Sequence, residues 1–391
     1  MNSTLICPDF EFCGGCGHQD ISYEEELKLK ENMVLKLLTD NNVEGYEFLG
    51  TTPAPSPTEY RNKMEYSFGD EGKNGALALG MRKRKSFYEV VTSKHCNIVD
   101  GDFRAIITCV LEFFKNTGEI VFHKKRHIGA LRHLVVRKGK FTGEILVNLV
   151  TSSQLTTDIV PLKELLVNLN LSGELVGVLH TTNDDIGDTI KLDNVKLLHG
   201  RDYFNEILLG LNFKITAQSF FQTNSAGAEK LYTTVADFVD GCKLEKPVLF
   251  DLYCGTGTIA QILSKNAEKV YGIEIVEEAV EAAEQNAELN GINNCFFVAG
   301  DVLKTVDTLD VKPDIIVLDP PRDGIHKKAV NKIINFNAKY IVYVSCKPSS
   351  LARDLIVFKE HNYNVEKIKI HDLFPRTKHV ETVALLVKSE G

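Results

Sequence analysis

Val248-Leu249-Phe250-Asp251-Leu252-Tyr253-Cys254-Gly255-Thr256-Gly257 joins a short apolar run to a glycine turn. Two later runs share that design. One ends in Asp319-Pro320-Pro321-Arg322, and the other, Val342-Tyr343-Val344-Ser345, stops at Cys346-Lys347-Pro348. Each places its reactive or ligand-binding residues just past a strand. That edge of an open parallel sheet is where α/β folds bind ligands, so the three runs predict one shared rim.

The rest of the chain divides around these runs. From Ser225 onward, helices and strands alternate: helix Ser225–Phe238, strand Val248–Asp251, helix Thr258–Ser264, strand Lys269–Glu274 and helix Glu277–Asn290, closed by Gly291. Strands Cys295–Ala299 and Asp314–Asp319, helix Lys327–Phe336 and strand Tyr340–Ser345 complete the series. This alternation predicts a parallel, doubly wound sheet. Upstream, short strands dominate: Lys63–Phe68, Ala76–Met81, Leu131–Arg137, Glu144–Leu149, Leu175–His180 and Asp188–Leu192. Helical stretches near 102–117 and 156–168 interrupt them, which predicts a β-rich α+β domain. Apolar residues between Ser22 and Thr39 recur at helical spacing, and Ser22 with Glu25 fits a capping box. The expected organisation is an N-terminal segment and helix over 1–51, a central domain over 52–215 and an α/β domain over 216–391.

The composition limits the function. No apolar run of about 18 residues is present, which argues against a membrane span. The first residues lack the basic and apolar regions of a signal peptide, so the chain is expected to be cytoplasmic. Its nine cysteines then suit metal ligands, nucleophiles or core positions better than a disulfide framework. Net charge is −8, yet residues 51–140 hold 17 Lys and Arg against 9 Asp and Glu, leaving the remainder at −16. Tyr60-Arg61-Asn62-Lys63, Arg82-Lys83-Arg84-Lys85, Lys124-Lys125-Arg126 and Arg137-Lys138 interleave with Tyr66, Phe68, Phe87 and Tyr88. Cations for phosphates and aromatics for unpaired bases together suit RNA.

The chemistry follows from residue types. Gly255 and Gly257 let the backbone approach a ligand. Glu274, one strand later, is placed to bind ribose hydroxyls, and Asp301 in Gly300-Asp301 could hold an adenine amino group. The turn does not fit G-x-G-x-x-G. It reads D-x-x-C-G-x-G, as in class I S-adenosylmethionine methyltransferases. The Asp319-Pro-Pro-Arg run lacks the Asn and Tyr of amino-nitrogen methylases, but Cys346 ends the next strand. Carbon 5 of a pyrimidine becomes nucleophilic when a thiolate adds to carbon 6, and a base must later remove the carbon-5 proton. A cysteine and a carboxylate are the minimum equipment, and Glu381 is the carboxylate candidate.

Four ordered motifs now carry a resemblance: Phe-Phe-Gln-Thr-Asn at 220–224, Asp-Pro-Pro-Arg, Val-Ser-Cys-x-Pro, and Phe-Pro-x-Thr-x-His-Val-Glu at 374–381. Together they resemble the RNA uracil-5 methyltransferases over nearly the whole chain, most nearly the iron–sulfur branch acting on 23S ribosomal RNA. The resemblance implies a Rossmann-like class I methyltransferase domain, Cys346 as nucleophile and Glu381 as base. It implies Gln222, Tyr253, Glu274 and Asp319 as S-adenosylmethionine contacts. By spacing, Cys7, Cys13 and Cys16 with distant Cys96 suit an iron–sulfur cluster better than zinc, which stays open. The resemblance points to a [4Fe–4S] cluster on those four, tying the N-terminal segment to the central domain. Cys109, Cys242, Cys254 and Cys295 are expected in core or turns. Many relatives carry a TRAM domain before the cysteines, and it is expected to be missing here. Transfer RNA is the alternative substrate. An RNA cytosine-5 methyltransferase and a non-catalytic RNA-binding assembly factor rank lower, because Pro321 is followed by Arg322 and both Cys346 and Glu381 are intact.

Overall fold

A computed structural model describes residues 6–72, 75–86, 88–187, 194–305 and 309–389. The expected strand Asp188–Leu192 and the aromatic Phe87 lie outside the described residues. Two large sheets organise the molecule. One has eight strands in the order Glu47–Thr52, Tyr363–His371, Glu381–Lys388, Tyr340–Ser345, Ile315–Leu318, Val248–Leu252, Lys269–Glu274 and Cys295–Ala299. The other has seven, in the order Val90–Thr92, Leu77–Arg82, Lys63–Asp70, Leu131–Lys138, Glu144–Thr151, Glu174–Thr182 and Asn194–Gly200. Among the described residues, no helix is long and apolar enough to cross a membrane.

The eight-stranded sheet is the doubly wound sheet expected from the alternating pattern, with one exception. Glu381–Lys388 runs antiparallel to both neighbours, pairing Ser345 with Thr382 and His371 with Glu381. An antiparallel strand starts where its parallel neighbours end. Its first residue, Glu381, therefore stands at the rim where Tyr340–Ser345 delivers Cys346. Buried runs such as Ile315–Leu318 and Ile341–Ser345 fill the sheet's interior. Apolar clusters cover both of its faces.

The N-terminal region is not separate from this sheet. Helix Tyr23–Asp40 has the capping box expected of Ser22 and Glu25, with both reciprocal bonds formed. Such a cap is worth about 1 kcal/mol. The helix buries Val34 and Leu38 in the same apolar cluster as Ile341 and Leu351. Strand Glu47–Thr52 then pairs in parallel with Tyr363–His371 at the sheet's edge. Residues 23–52 thus build on the C-terminal sheet, across a boundary expected at 51.

The central sheet is antiparallel except where Glu144–Thr151 and Glu174–Thr182 pair in parallel. Helix Val160–Val167 lies between them in the chain as the crossover such a pair requires. Helix Gly101–Lys115 is capped by the Asp100 carboxylate and buries Phe103, Ile106, Ile107, Val110 and Phe114. A hairpin, Tyr203–Leu208 with Leu211–Thr216, leads out of this domain. Its Phe204, Leu208 and Phe213 share a cluster with Leu231 and Val235 of helix Ser225–Gly241 and with Leu249 of the larger sheet. One continuous apolar core therefore holds the two sheets together.

Candidate active site

Asp251 is the penultimate residue of strand Val248–Leu252 and is wholly buried. One carboxylate oxygen accepts the Ala260 N–H at 2.9 Å, which pins the glycine turn to the start of helix Thr258–Leu263. Burial, with Asp319 nearby, pushes this carboxyl up to about 8. Tyr253 follows with φ +68°, a left-handed conformation that a bulky residue adopts only where its surroundings impose it. The Glu274 carboxylate accepts Gly255 N–H and Val276 N–H, both at 3.0 Å, so it is fixed beside the turn. The two glycines have different reasons. An added Cβ at Gly255 would meet nothing within 4 Å, which leaves an open lip on the cavity. At Gly257 it would fall 2.6 Å from the Phe297 ring and 2.9 Å from Ala283, so this glycine serves helix–sheet packing.

One cavity of about 1410 Å³ is lined by Gln222, Tyr253, Gly255, Glu274, Asp319, Cys346 and Glu381. It is also lined by Cys7, Cys13, Cys16 and Cys96. Gly257 and Asp301 do not line it. Asp301 heads the short helix Val302–Thr305; the Tyr253 phenol is raised first by burial and then by the Asp301 charge nearby.

Three strands bring the reacting groups together. At the end of Tyr340–Ser345 the Ser345 hydroxyl accepts Lys347 N–H at 3.2 Å and donates to its carbonyl at 3.1 Å, fixing the turn that carries Cys346. The loop after Ile315–Leu318 is held from helix Pro348–Glu360. Ser350 donates to the Arg322 carbonyl at 2.8 Å, and Asp354 accepts Ile325 N–H and the Tyr343 hydroxyl, both at 2.8 Å. Burial raises the Asp319 carboxyl to about 7. Glu381 is raised further, by burial first and then by Asp319, with the Arg322 guanidinium opposing. The Cys346 thiol is pushed up to about 11 by burial, then by Glu381 and Asp319, and Arg322 again opposes. The rim thus pairs a half-buried thiol with the buried Glu381 and the half-buried Asp319, and Arg322 favours the charged forms of Cys346 and Glu381.

The cysteine segment lies across the same cavity. The Arg84 side chain donates to the carbonyls of Cys13 at 2.8 Å and Cys16 at 2.5 Å and covers the Phe10 ring at 4.5 Å. Gly14 N–H donates to the Arg82 carbonyl, and Arg84 N–H to the Phe12 carbonyl. Gln19 pairs reciprocally with Asn97 and reaches the Cys16 sulfur at 3.6 Å, joining the segment to the Cys96 loop. Cys96 feels the charges of Cys7, Cys13 and Cys16, and burial lifts Cys16 to about 11 and Cys96 to about 12. Among the described residues, no three His, Cys, Asp or Glu side chains are arranged to hold a metal ion. Cys7, Cys13, Cys16 and Cys96 line one cavity.

The basic run therefore does more than present charge. Arg84 binds the cysteine segment, and Lys83 pairs with Glu89 at 2.6 Å. Beside it, the Tyr88 ring, 69% exposed, stacks on His123 at 6.5 Å and 15°. Burial first, and then the nearby charges of Arg132, Lys124 and Arg82, lower the basicity of His133.

Sequence reasoning passed over other residues of the cavity. Fully buried Tyr232 shares a hydrogen bond with the Gln222 side chain. His379 sits 3.5 Å from an Arg322 nitrogen and edge-on to Phe374. Arg322 and His379 stood inside quoted motifs, so only their roles were missing. Tyr232, mid-helix among apolar residues, carried no signal.

Comparison with known proteins agrees with this geometry. The profile of the tRNA (Uracil-5-)-methyltransferase family matches residues 22–389. An uncharacterised RNA methyltransferase of Clostridium acetobutylicum is 52% identical over 380 residues, covering 97% of this chain and 83% of its own. Another, from Caldanaerobacter subterraneus subsp. tengcongensis, is 49% identical over 98% of this chain and 84% of its own. Among solved structures, the Pyrococcus abyssi tRNA (uracil-54, C5)-methyltransferase in complex with S-adenosyl-L-homocysteine superposes with a TM-score of 0.78. It is 28% identical and covers 96% of this chain and 86% of its own.

Proposed function

Because the chain belongs to the family of the tRNA (uracil-5-)-methyltransferases and is an RNA methyltransferase, we propose that it methylates carbon 5 of a uridine in RNA through a covalent Cys346 adduct. The observation that carries this reading is the antiparallel strand, which puts Glu381 on the rim that Cys346 and Asp319 share. S-adenosylmethionine, bound along Gln222, Tyr253, Gly255 and Glu274, supplies the methyl group on a sulfonium cation. Asp319, on the same cavity, would supply a carboxylate to balance that positive charge. Cys346 thiolate adds to carbon 6 of the uracil and gives carbon 5 enolate character. Once carbon 5 carries the methyl group, Glu381 accepts its proton and the carbon–sulfur bond to Cys346 breaks. The raised Glu381 carboxyl suits a group that must take a proton from carbon. Gly257 and Asp301 act behind this site, in packing and in setting the Tyr253 surroundings.

Cys7, Cys13, Cys16 and Cys96 would hold a [4Fe–4S] cluster. What supports this over zinc is the resemblance and the spacing of the four cysteines in the sequence, which line one cavity. The group would supply a cross-link between the N-terminal segment and the Cys96 loop and no step of methyl transfer. The RNA would lie over the Tyr88–His123 stack and the surrounding cations, with the target base flipped toward Cys346. We put 23S ribosomal RNA first as substrate, on the four-cysteine resemblance. Transfer RNA is the second reading, favoured by the likeness to the Pyrococcus abyssi enzyme, named for uridine 54 of tRNA.

The test uses transcripts of 23S ribosomal RNA and of transfer RNA made with 5-fluorouridine. Fluorine cannot leave as a proton does, so the wild-type protein should form a denaturation-resistant complex with one of them. Cys346→Ala should form none. A complex that persists in that variant would overturn the nucleophile.

A further inference from the structure

The loop that leads into Glu381 is held by an N-terminal element about 350 positions away in sequence. Arg376 is 3% exposed and has φ +67°. Its carbonyl accepts Gly17 N–H at 2.7 Å and His18 N–H at 3.1 Å, directly after Cys16. Its own N–H donates to a Glu26 carboxylate oxygen at 2.7 Å. Its guanidinium donates to the carbonyls of His18 at 3.3 Å and Ile21 at 3.0 Å. Lys30 completes the clamp, bonding Glu26 and Asp372 at 2.8 Å each and the Phe374 carbonyl at 3.1 Å. Two buried cations thus balance two buried carboxylates. From the central domain the Tyr60 hydroxyl donates to the Pro375 carbonyl at 2.9 Å.

The Glu381 carboxylate itself accepts no hydrogen bond among the described residues. Its place is set by the backbone before it and by the register of Thr382 with Ser345. We propose that Arg376 is a positioning residue for the proton-removal step, clamping loop 374–379 to the cysteine-bearing segment so that Glu381 meets the carbon-5 proton. This rests on the reading of Glu381 as the base. The cysteine segment is then part of the support of the catalytic loop, in addition to its contacts with the central domain.

The clamp and a merely structural role differ in one observable. If only proton removal is disturbed, carbon-6 attack and methyl transfer still occur, and the covalent enzyme–RNA complex builds up on ordinary uridine. Arg376→Gln, Arg376→Lys and Glu26→Gln should be compared with Glu381→Gln, using S-adenosylmethionine and ordinary transcripts of 23S ribosomal RNA and transfer RNA. Arg376→Gln should lower kcat by about 10- to 100-fold, since a misplacement of ~1 Å costs that much. KM for both substrates should stay within about twofold, and covalent complex should accumulate on denaturing gels. Arg376→Lys, which keeps the charge, and the milder Glu26→Gln should give smaller versions of the same change. A folded Arg376→Lys with wild-type cofactor affinity, slow turnover and no complex would overturn the clamp. So would unchanged kcat in Arg376→Gln. If Glu381→Gln itself accumulates no complex, the base assignment fails and the clamp falls with it.

Discussion

Two sets of half-buried thiols line one cavity, and their neighbours differ. Cys346 stands among carboxyls: burial first, then Glu381 and Asp319, raise its thiol, while Arg322 and a backbone hydrogen bond oppose them. Cys7, Cys13, Cys16 and Cys96 stand chiefly among one another. Cys13 also receives the Gly15 N–H and Cys16 the Gln19 amide. A single thiol beside a carboxyl has the parts for addition to a ring carbon as thiolate and for later removal of a proton from the neighbouring carbon by the carboxylate. The other four, as proposed, would share a cluster.

The largest expected effect that separates the two sets comes from Cys96→Ser. It should remove iron, sulfide and colour while leaving Cys346 in place. Through Gly17 and His18 it should also loosen the catalytic loop, so methylation should drop by about 100-fold or more even at saturating RNA. Separate measurements of metal content, limited proteolysis near residues 7–22 and cofactor affinity check this. Normal kcat at saturating RNA in a metal-free variant would make the cysteine segment an RNA-positioning device only. One equivalent of zinc, without iron, in anaerobically purified wild type would overturn the cluster.

Much of the catalytic rim was legible because its signals are local. A strand that ends in Asp251 and a glycine turn, or in Ser345-Cys346, states its own position along the sheet. What was not legible depends on distant pairing. Strand Glu47–Thr52 shows no clean alternation in burial, and its partner lies some three hundred residues away, so nothing local assigns it to the C-terminal sheet. The antiparallel strand Glu381–Lys388 is buried on both faces. Its direction, which places Glu381, cannot be read from its composition. Gly257 and Gly255 look alike in a motif, and only the Phe297 ring separates a packing glycine from one at an open lip. Arg84 looked like a phosphate contact because charge runs carry no information about backbone carbonyls nearby.

A smaller effect tests the electrostatics of the catalytic side alone. With its thiol near 11, only on the order of one Cys346 in 10⁴ is thiolate at pH 7 in the free protein. Burial and the two carboxyls favour the neutral thiol, so adduct formation should speed up as pH rises, by roughly tenfold per unit below that value. Arg322 favours the thiolate. Arg322→Gln should therefore shift the profile to higher pH and slow adduct formation with 5-fluorouridine RNA at pH 7 by roughly tenfold. Iron content should not change. A shift to lower pH would mean that Arg322 acts on the RNA and not on the thiol.

The smallest expected effect divides one run of four cations between the two regions. Arg84 holds the carbonyls of Cys13 and Cys16, whereas the neighbouring Lys85 is exposed. A charge that only meets phosphate should change affinity through counterion release, lowering the log–log salt slope by about 0.7–0.9. Lys85→Gln should do this and leave iron content and turnover at saturating RNA alone. Arg84→Gln should in addition release the cysteine segment, with iron lost more readily to a chelator and residues 7–22 cut faster by protease. The readouts are salt-dependent RNA affinity and timed iron loss for each variant. If Arg84→Gln keeps its iron as firmly as wild type and differs only in salt slope, then the contacts to Cys13 and Cys16 do not hold the segment. The division between a phosphate face and a metal-bearing segment would then not run through this pair of residues.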